Sequence, residues 1–393
     1  MLRKSILLVS LFIIGVAALS PEIGNAIPAF ARKYGFSCST CHEIIPKLNE
    51  YGNEFAGNAF QLPDEEEPVR AFRDVGDDRL LLMREVPFGI RLDSYIRYSS
   101  DGDVGSDFET PYGVKLLSGG SIAKDISYYF YFYMNERGNV AGLEDAYIHF
   151  NNIGGTEFDI MVGQFQVCDP LFKRELRLTF EDYQIYKTKV GNSQVNLTYE
   201  RGIMASYSLP TKTDLILEVV NGSGIGDAGA DRLFDEDKYK NVFLKIAQEI
   251  PFGTVGLFSY SGKECDTVNA SGRTSEFKMF GPDISIGVEK IGLSAQFVRR
   301  IDDNPMFIGS PGDETVTDGI IAEVTVNPNP EKSHLYGVLL YNSVSSDFMP
   351  VDYETVTASV SYLLKTNFRL MGEVTHDLEI DDSTLTFGWT AGF

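Results

Sequence analysis

The chain has 393 residues and carries 56 Asp and Glu against 34 Lys and Arg, a formal charge of −22. That balance disfavours nucleic acid as a partner, because phosphate binding depends on clustered cations. Four cysteines are too few to build a scaffold of this size from disulfides, and after the N-terminus no apolar run approaches the roughly 20 residues of a membrane-spanning helix. A membrane crossing by this chain must use strands.

Arg3 and Lys4, the apolar run Ile6 to Leu19, and then Gly24-Asn25-Ala26 read as an export signal over residues 1–26. Its removal leaves a charge of about −23. A few residues later the stretch GFSCSTCHE sets Cys38, Cys41 and His42 in a C-x-x-C-H motif. In that motif two thiols form thioethers to a porphyrin and the adjacent imidazole ligates iron from the proximal side. A thioredoxin-like redox pair would want a βαβ surround, and half of a zinc site would want a second ligand pair. Neither context accompanies the motif, so residues 27–62 are expected to carry one covalent haem c.

Ile45, Leu48, Tyr51 and Phe55 recur at helical spacing, interrupted by Gly52 and Gly57, and predict one or two short helices. Together with Ile44 and Phe60 they form the expected packing around the cofactor. A chain below about 40–60 residues makes a marginal core alone, so the haem or a neighbouring wall must supply the rest. Residues 63–87 read as a linker, opening with the charged, proline-bounded run Pro63 to Pro68.

From about Phe88 onward, segments of some ten residues alternate apolar and polar side chains, as in Ile126 to Glu136 (ISYYFYFYMNE), Asp214 to Val220 and Leu385 to Phe393. Period two means strands, and about ten residues is the length of a tilted membrane strand. The connections alternate long and short: Lys124-Asp125, 151–155, 210–213, 251–253, 289–291, 328–332 and 365–366 are short. Those at 99–109, 136–141, 166–199, 222–238, 263–274, 302–317 and 344–353 are long, and 377–383 is moderate. An antiparallel transmembrane β-barrel of about sixteen strands follows, mainly β, spanning 88–393. Soluble sandwiches also contain many alternating strands, but the asymmetry of the connections, the 27 Phe and 20 Tyr suited to interfacial girdles, and the terminal Phe393 favour the barrel.

The distal iron ligand is not visible beside the motif, since residues 27–82 hold no Met and no second His. Alternation around Ala146, Ile148 and Phe150 turns His149 toward the lumen near the short-turn end, which makes it the candidate sixth ligand. Met83 and the lumenal Met161, Met204 and Met371 are further possibilities. Cys168 and Cys265 fall in long loops expected outside, paired or free. Acidic clusters (Asp101, Asp103, Asp107 and Glu109; Asp227, Asp231, Asp235, Glu236 and Asp237; Asp302, Asp303, Asp313 and Glu314; Glu379, Asp381 and Asp382) occupy the long connections, as solvated loops or as a field that gathers cations at the mouth.

The stretch Ile27-Pro-Ala-Phe-Ala-Arg-Lys-Tyr-Gly-Phe-Ser-Cys-Ser-Thr-Cys-His, with Pro46-Lys-Leu-Asn49 and Gly52, resembles the N-terminus of the fused cytochrome-porins. These are outer-membrane proteins that join one haem c to a porin-like barrel. Val162-Gly-Gln-Phe165 and Asp169-Pro-Leu-Phe172 resemble a segment of phosphate-selective-type porins. The resemblance implies electron transfer across the outer membrane between an extracellular donor or acceptor and the periplasm, with extracellular Fe(II) as donor in the best-known branch and a periplasmic carrier such as a soluble cytochrome c on the other side. Such a chain is an Fe(II)-oxidising electron-transfer protein rather than a conventional enzyme. The alternative reading, in which the haem plug is structural or regulatory, is a diffusion porin whose Lys173, Arg174 and Arg177 select anions.

Overall fold

The computed structural model describes residues 29–62, 72–73, 75–77, 79–80, 82–99, 105–229, 231–235, 237–266, 271–308, 314–328 and 334–393. The export signal, about half of the linker, Asp101, Asp103, Glu236 and Asp313 lie outside them.

Sixteen antiparallel strands close into one barrel. In chain order they are β1 Phe88–Ser99, β2 Ser106–Ala123, β3 Ile126–Glu136, β4 Gly142–Phe150, β5 Phe158–Gln166, β6 Tyr199–Leu209, β7 Thr213–Val220 and β8 Asn241–Ile250. The second half runs β9 Gly253–Cys265, β10 Thr274–Val288, β11 Ile291–Asp302, β12 Thr315–Val326, β13 Leu335–Ser346, β14 Tyr353–Lys365, β15 Phe368–Asp377 and β16 Asp382–Gly392. Each strand pairs with its neighbour in sequence, and β16 pairs with β1, for instance Phe387 with Ile96, to complete the circle. Closure leaves no sheet edge exposed.

Alternation sorts the two faces. Ile203, Leu217, Val219, Leu244, Ile246, Leu257, Ile320 and Leu339 are exposed on the outer wall, a contiguous apolar surface that water would penalise and lipid would not. Inward positions are buried and mixed, among them Tyr131, Tyr133, Lys115, Glu218, Phe243, Tyr260, Arg300 and Glu323. Strand ends move by a few residues from the sequence reading. β2 starts at Ser106, so Asp107 and Glu109 belong to a strand, and β16 starts at Asp382.

The connection 167–198 departs most from expectation: it folds into the lumen. Its Tyr183, Ile185, Tyr186, Val195 and Leu197 pack on Phe243, Phe258, Tyr260, Phe277, Val298, Ile321 and Leu340 of the inner wall. A short helix, Gln184–Lys187, lies within it. Gly319 on β12 is the seat for Ile185, since a Cβ there would meet the Ile185 side chain at 2.3 Å. Polar anchors hold the backbone. Phe180 N and Glu181 N donate to the Glu373 carboxylate at 2.8 and 2.9 Å, and Asn342 Nδ2 donates to Asp182 O at 2.6 Å.

Fully buried Arg300 binds Asp302 through Nε at 2.7 Å and reaches Val195 O at 2.8 Å, Thr188 O at 3.2 Å and Ser193 Oγ at 2.8 Å. Removing one partner of such a buried pair strands the other charge. Arg300→Ala is therefore expected to cost roughly 3–5 kcal/mol, seen as a lower unfolding temperature and faster proteolysis within 167–198. An unchanged digestion pattern would contradict this anchoring role.

Candidate functional site

Residues 29–62 lie in the barrel mouth framed by the short connections. Helix α1, Ala29–Tyr34, leads to the turn α2, Cys38–Cys41, then to a small hairpin, His42–Ile44 with Lys47–Leu48, and to helix α3, Glu50–Gly57. The helical expectation for 43–62 thus holds from Glu50 on, while Ile45 and Leu48 belong to the hairpin region. Asn49 caps α3, its side chain accepting from Gly52 N at 2.8 Å.

One flank of the segment packs on β2 and β3. Phe30 stacks on Phe60 with ring centroids 4.7 Å apart, and Phe60 stacks on Tyr129 of the wall at 5.3 Å. Lys33 Nζ donates to Ser121 Oγ at 3.4 Å, and Gln61 Nε2 to Ala123 O at 3.3 Å. The other flank meets β12, β13 and β14. Ile44 is buried in a cluster with Tyr336, Val338, Leu363 and, from the inward loop, Leu178. Tyr336 Oη donates to Ile45 O at 2.8 Å. Lys47 Nζ reaches Glu323 Oε1 at 3.0 Å, while Tyr183 Oη of the inward loop donates to the other oxygen of the same carboxylate at 3.1 Å. The N-terminal segment and the loop share one acceptor on the wall.

The residues of the C-x-x-C-H motif fit a covalently held haem. Cys38 and Cys41 are free thiols one helical turn apart, so both side chains leave the same face. His42 leaves the turn in an extended conformation. Its Nδ1 lies 2.9 Å from Pro46 O. A carbonyl can only accept, so Nδ1 carries the proton in this contact, and the Lys47 backbone is a further partner of the ring; a ring nitrogen donating to a carbonyl is an arrangement that orients an imidazole as a ligand. Burial lowers the His42 pKa from its usual value, which favours the neutral, ligating form. Burial also raises the Cys38 thiol, and burial with the neighbouring Cys38 raises that of Cys41. Tyr34, Phe55 and Leu62, with Phe30, Phe36 and Phe60, form the apolar surround that touches Cys41. Tyr51 is exposed, at 39% of its surface.

Gly52 has a role that composition alone does not reveal. A Cβ there would lie 2.0 Å from Cys41 O, so α3 approaches the cysteine turn backbone to backbone.

Sequence-level candidates elsewhere are placed as follows. His149 faces the lumen and is buried, as alternation predicts, but register sets it between Ser127 of β3 and Met161 of β5. The wall contacts of the N-terminal segment described above fall on β2, β3 and β12 to β14 rather than on His149's strand. Met371 is buried on β15, and Met83 lies in a two-residue strand paired with Phe72. Cys168 is fully buried in the inward loop rather than outside, and Cys265 is the last residue of β9; both are free thiols. Among the described residues no three or more His, Cys, Asp or Glu side chains are arranged to hold a metal ion.

The cations of the inward loop are largely committed. Arg174 grips Asp182 through Nε at 2.8 and 3.0 Å, with Arg177 at 3.8 Å and Lys187 at 3.7 Å from the same carboxylate. Burial opposes ionisation of Asp182, but Arg177 and Arg174 outweigh it and hold its carboxyl well below the usual range. Lys115 pairs with Glu175 at 3.2 Å and lies 3.8 Å from Asp93, which Arg91 binds at 3.0 Å. Sequence reasoning missed Asp182 because its partners are set by the loop's inward path.

The barrel geometry matches solved outer-membrane porins. The fold is that of the sixteen-stranded porins. An anion-selective porin from Comamonas acidovorans superposes with a TM-score of 0.57 at 10% identity, over 78% of this chain and 98% of that one. OmpT of Vibrio cholerae gives 0.55 at 10% identity, over 79% and 99%, and the DcaP channel of Acinetobacter baumannii 0.53 at 14%, over 79% and 97%. No family model and no curated protein matches the sequence. The porin-like part accounts for most of the chain.

Gly52→Ala should push α3 off the cysteine turn and expose residues 29–62 to protease. Gly57→Ala, where an added Cβ meets no atom within 4 Å, should leave protection intact. Equal digestion of the two variants would contradict the close packing.

Proposed function

We propose that this porin-type barrel sits in a bacterial outer membrane. On this reading residues 27–62 carry one covalent haem c in its lumen, passing electrons from extracellular Fe(II) to a periplasmic carrier such as a soluble cytochrome c. The observation that carries the reading is the C-x-x-C-H motif, Cys38, Cys41 and His42, on a segment whose next residues pack, through Ile44, on the inner wall and on Leu178 of the inward loop. A bound haem would supply one-electron storage. Cys38 and Cys41 would hold it, His42 would orient toward its iron, and the surrounding aromatic side chains would keep water from it. Acidic side chains toward the long-connection end, Glu109, Asp227, Asp235 and Glu379 among them, would concentrate the cationic substrate. Each Fe(II) that becomes Fe(III) releases one electron, and the periplasmic carrier takes up that electron.

The likeness of the barrel to porins, one of them an anion-selective porin, favours a second reading more directly: a diffusion channel whose N-terminal plug is structural or regulatory. Within that reading Arg174 and Arg177 are weak selectors, because Asp182 already binds them. Lys173 of the same loop remains the better candidate for attracting anions.

Anaerobic mixing of the purified protein with Fe(II), followed at the absorption bands of reduced haem, distinguishes the two. Electron transfer predicts reduction, and Cys38→Ser with Cys41→Ser predicts loss of covalent haem. A haem that dithionite reduces and excess Fe(II) does not would contradict the redox reading, and anion conductance in planar bilayers would then support the channel.

A further inference from the structure

The inner wall holds a row of donors that neither reading uses. Register pairs His149 of β4 with Met161 of β5, Met161 with Met204 of β6, and Met204 with Glu218 of β7. Directly opposed residues of antiparallel strands project to the same face, with Cα atoms about 4.5–5.5 Å apart. That face is the lumen, because the alternating neighbours Phe150, Val162, Ile203, Leu217 and Val219 are exposed on the outer wall. On a concave wall, side chains from successive strands lean toward one another.

Glu218 makes the row unusual. It is fully buried, and neither carboxylate oxygen has a hydrogen-bond partner. Its neighbours in the row are Met204 on one side and Phe243 on the other, and neither offers a donor. A carboxyl in such surroundings either holds a proton or is accompanied by a cation that takes the proton's place. One unit of positive charge would suffice. Met204 lies beside it, Met161 one strand further and His149 beyond that, and paired thioethers select a soft ion over a hard one, since thioether sulfur suits Cu(I) whereas Mg(II) and Ca(II) demand oxygen.

We propose that Met161 and Met204, flanked by His149 and Glu218, form a lumenal site for a soft monovalent cation, Cu(I). The site does not depend on the haem reading. It places a metal-recognising element in the β4 to β7 wall, facing the lumen that the N-terminal segment enters from β2 and β3.

The test is equilibrium dialysis of the purified full chain with Cu(I) and ascorbate against a competing chelator, with copper per protein measured by elemental analysis. One tightly held equivalent is expected. Met161→Leu and Met204→Leu, which preserve volume, should each weaken retention at least tenfold, and Glu218→Gln should weaken it as well. Met371→Leu, a buried methionine on β15, should retain copper as the parent does, and circular dichroism should show the same strand content throughout. The haem absorption spectrum should not change during loading. The proposal is overturned by no retained copper, by equal retention in the Met161→Leu, Met204→Leu double variant, or by a haem spectral change on loading that His149→Ala abolishes, since that would place His149 on the iron.

Discussion

The carboxylate of Glu323, buried on the inner wall, accepts from Lys47 of the N-terminal segment with one oxygen and from Tyr183 of the inward loop with the other. A buried carboxylate demands such partners, and here the partners come from the two elements that narrow the lumen. Ile44 against Leu178 adds an apolar contact between the same two elements, of a kind that contributes about 1.5–3 kcal/mol per fully buried side chain. Each element also has its own anchors on the wall, and these contacts join the two. The wall supplies the frame, the loop supplies a floor, and the segment with Cys38, Cys41 and His42 rests on both.

This arrangement answers the size problem of the N-terminal segment. A unit of fewer than about 40 residues makes only a marginal core alone. Tyr129 of the barrel packs on Phe60, and Tyr336, Val338 and Leu363 pack on Ile44, so the wall completes the core of the segment. The same contacts decide what the pore can do. A loop pinned by Arg300, Glu373 and Asn342 and a segment pinned by Glu323 and Tyr336 make the lumen a packed interior over part of its section, rather than an open water column.

The strands and the motif were legible in the sequence because both are local. Alternation in ISYYFYFYMNE specifies a strand with Tyr131 and Tyr133 inward, and C-x-x-C-H carries its chemistry in five residues. The inward path of residues 167–198 was not legible, because it depends on side chains such as Arg300 and Glu373 that lie more than a hundred residues away. One signal was available: Leu171, Phe172, Leu178, Phe180, Tyr183, Ile185, Tyr186, Val195 and Leu197 make this connection too apolar for a solvated outer loop. Gly52 looked like a helix interruption and is a contact point, a distinction only the position of the Cys41 carbonyl reveals. Cys168 followed its loop inward for the same reason.

In the function proposed above, a single iron would be held by His42 inside the barrel, between the short-connection mouth and the inward loop. Crystals of the full protein, measured on either side of the iron absorption edge, test it directly. The account predicts one anomalous peak beside Nε2 of His42, within the ring of strands and on the mouth side of Leu178. A peak outside the rim of the barrel, or no iron at residues 38–42, would contradict it.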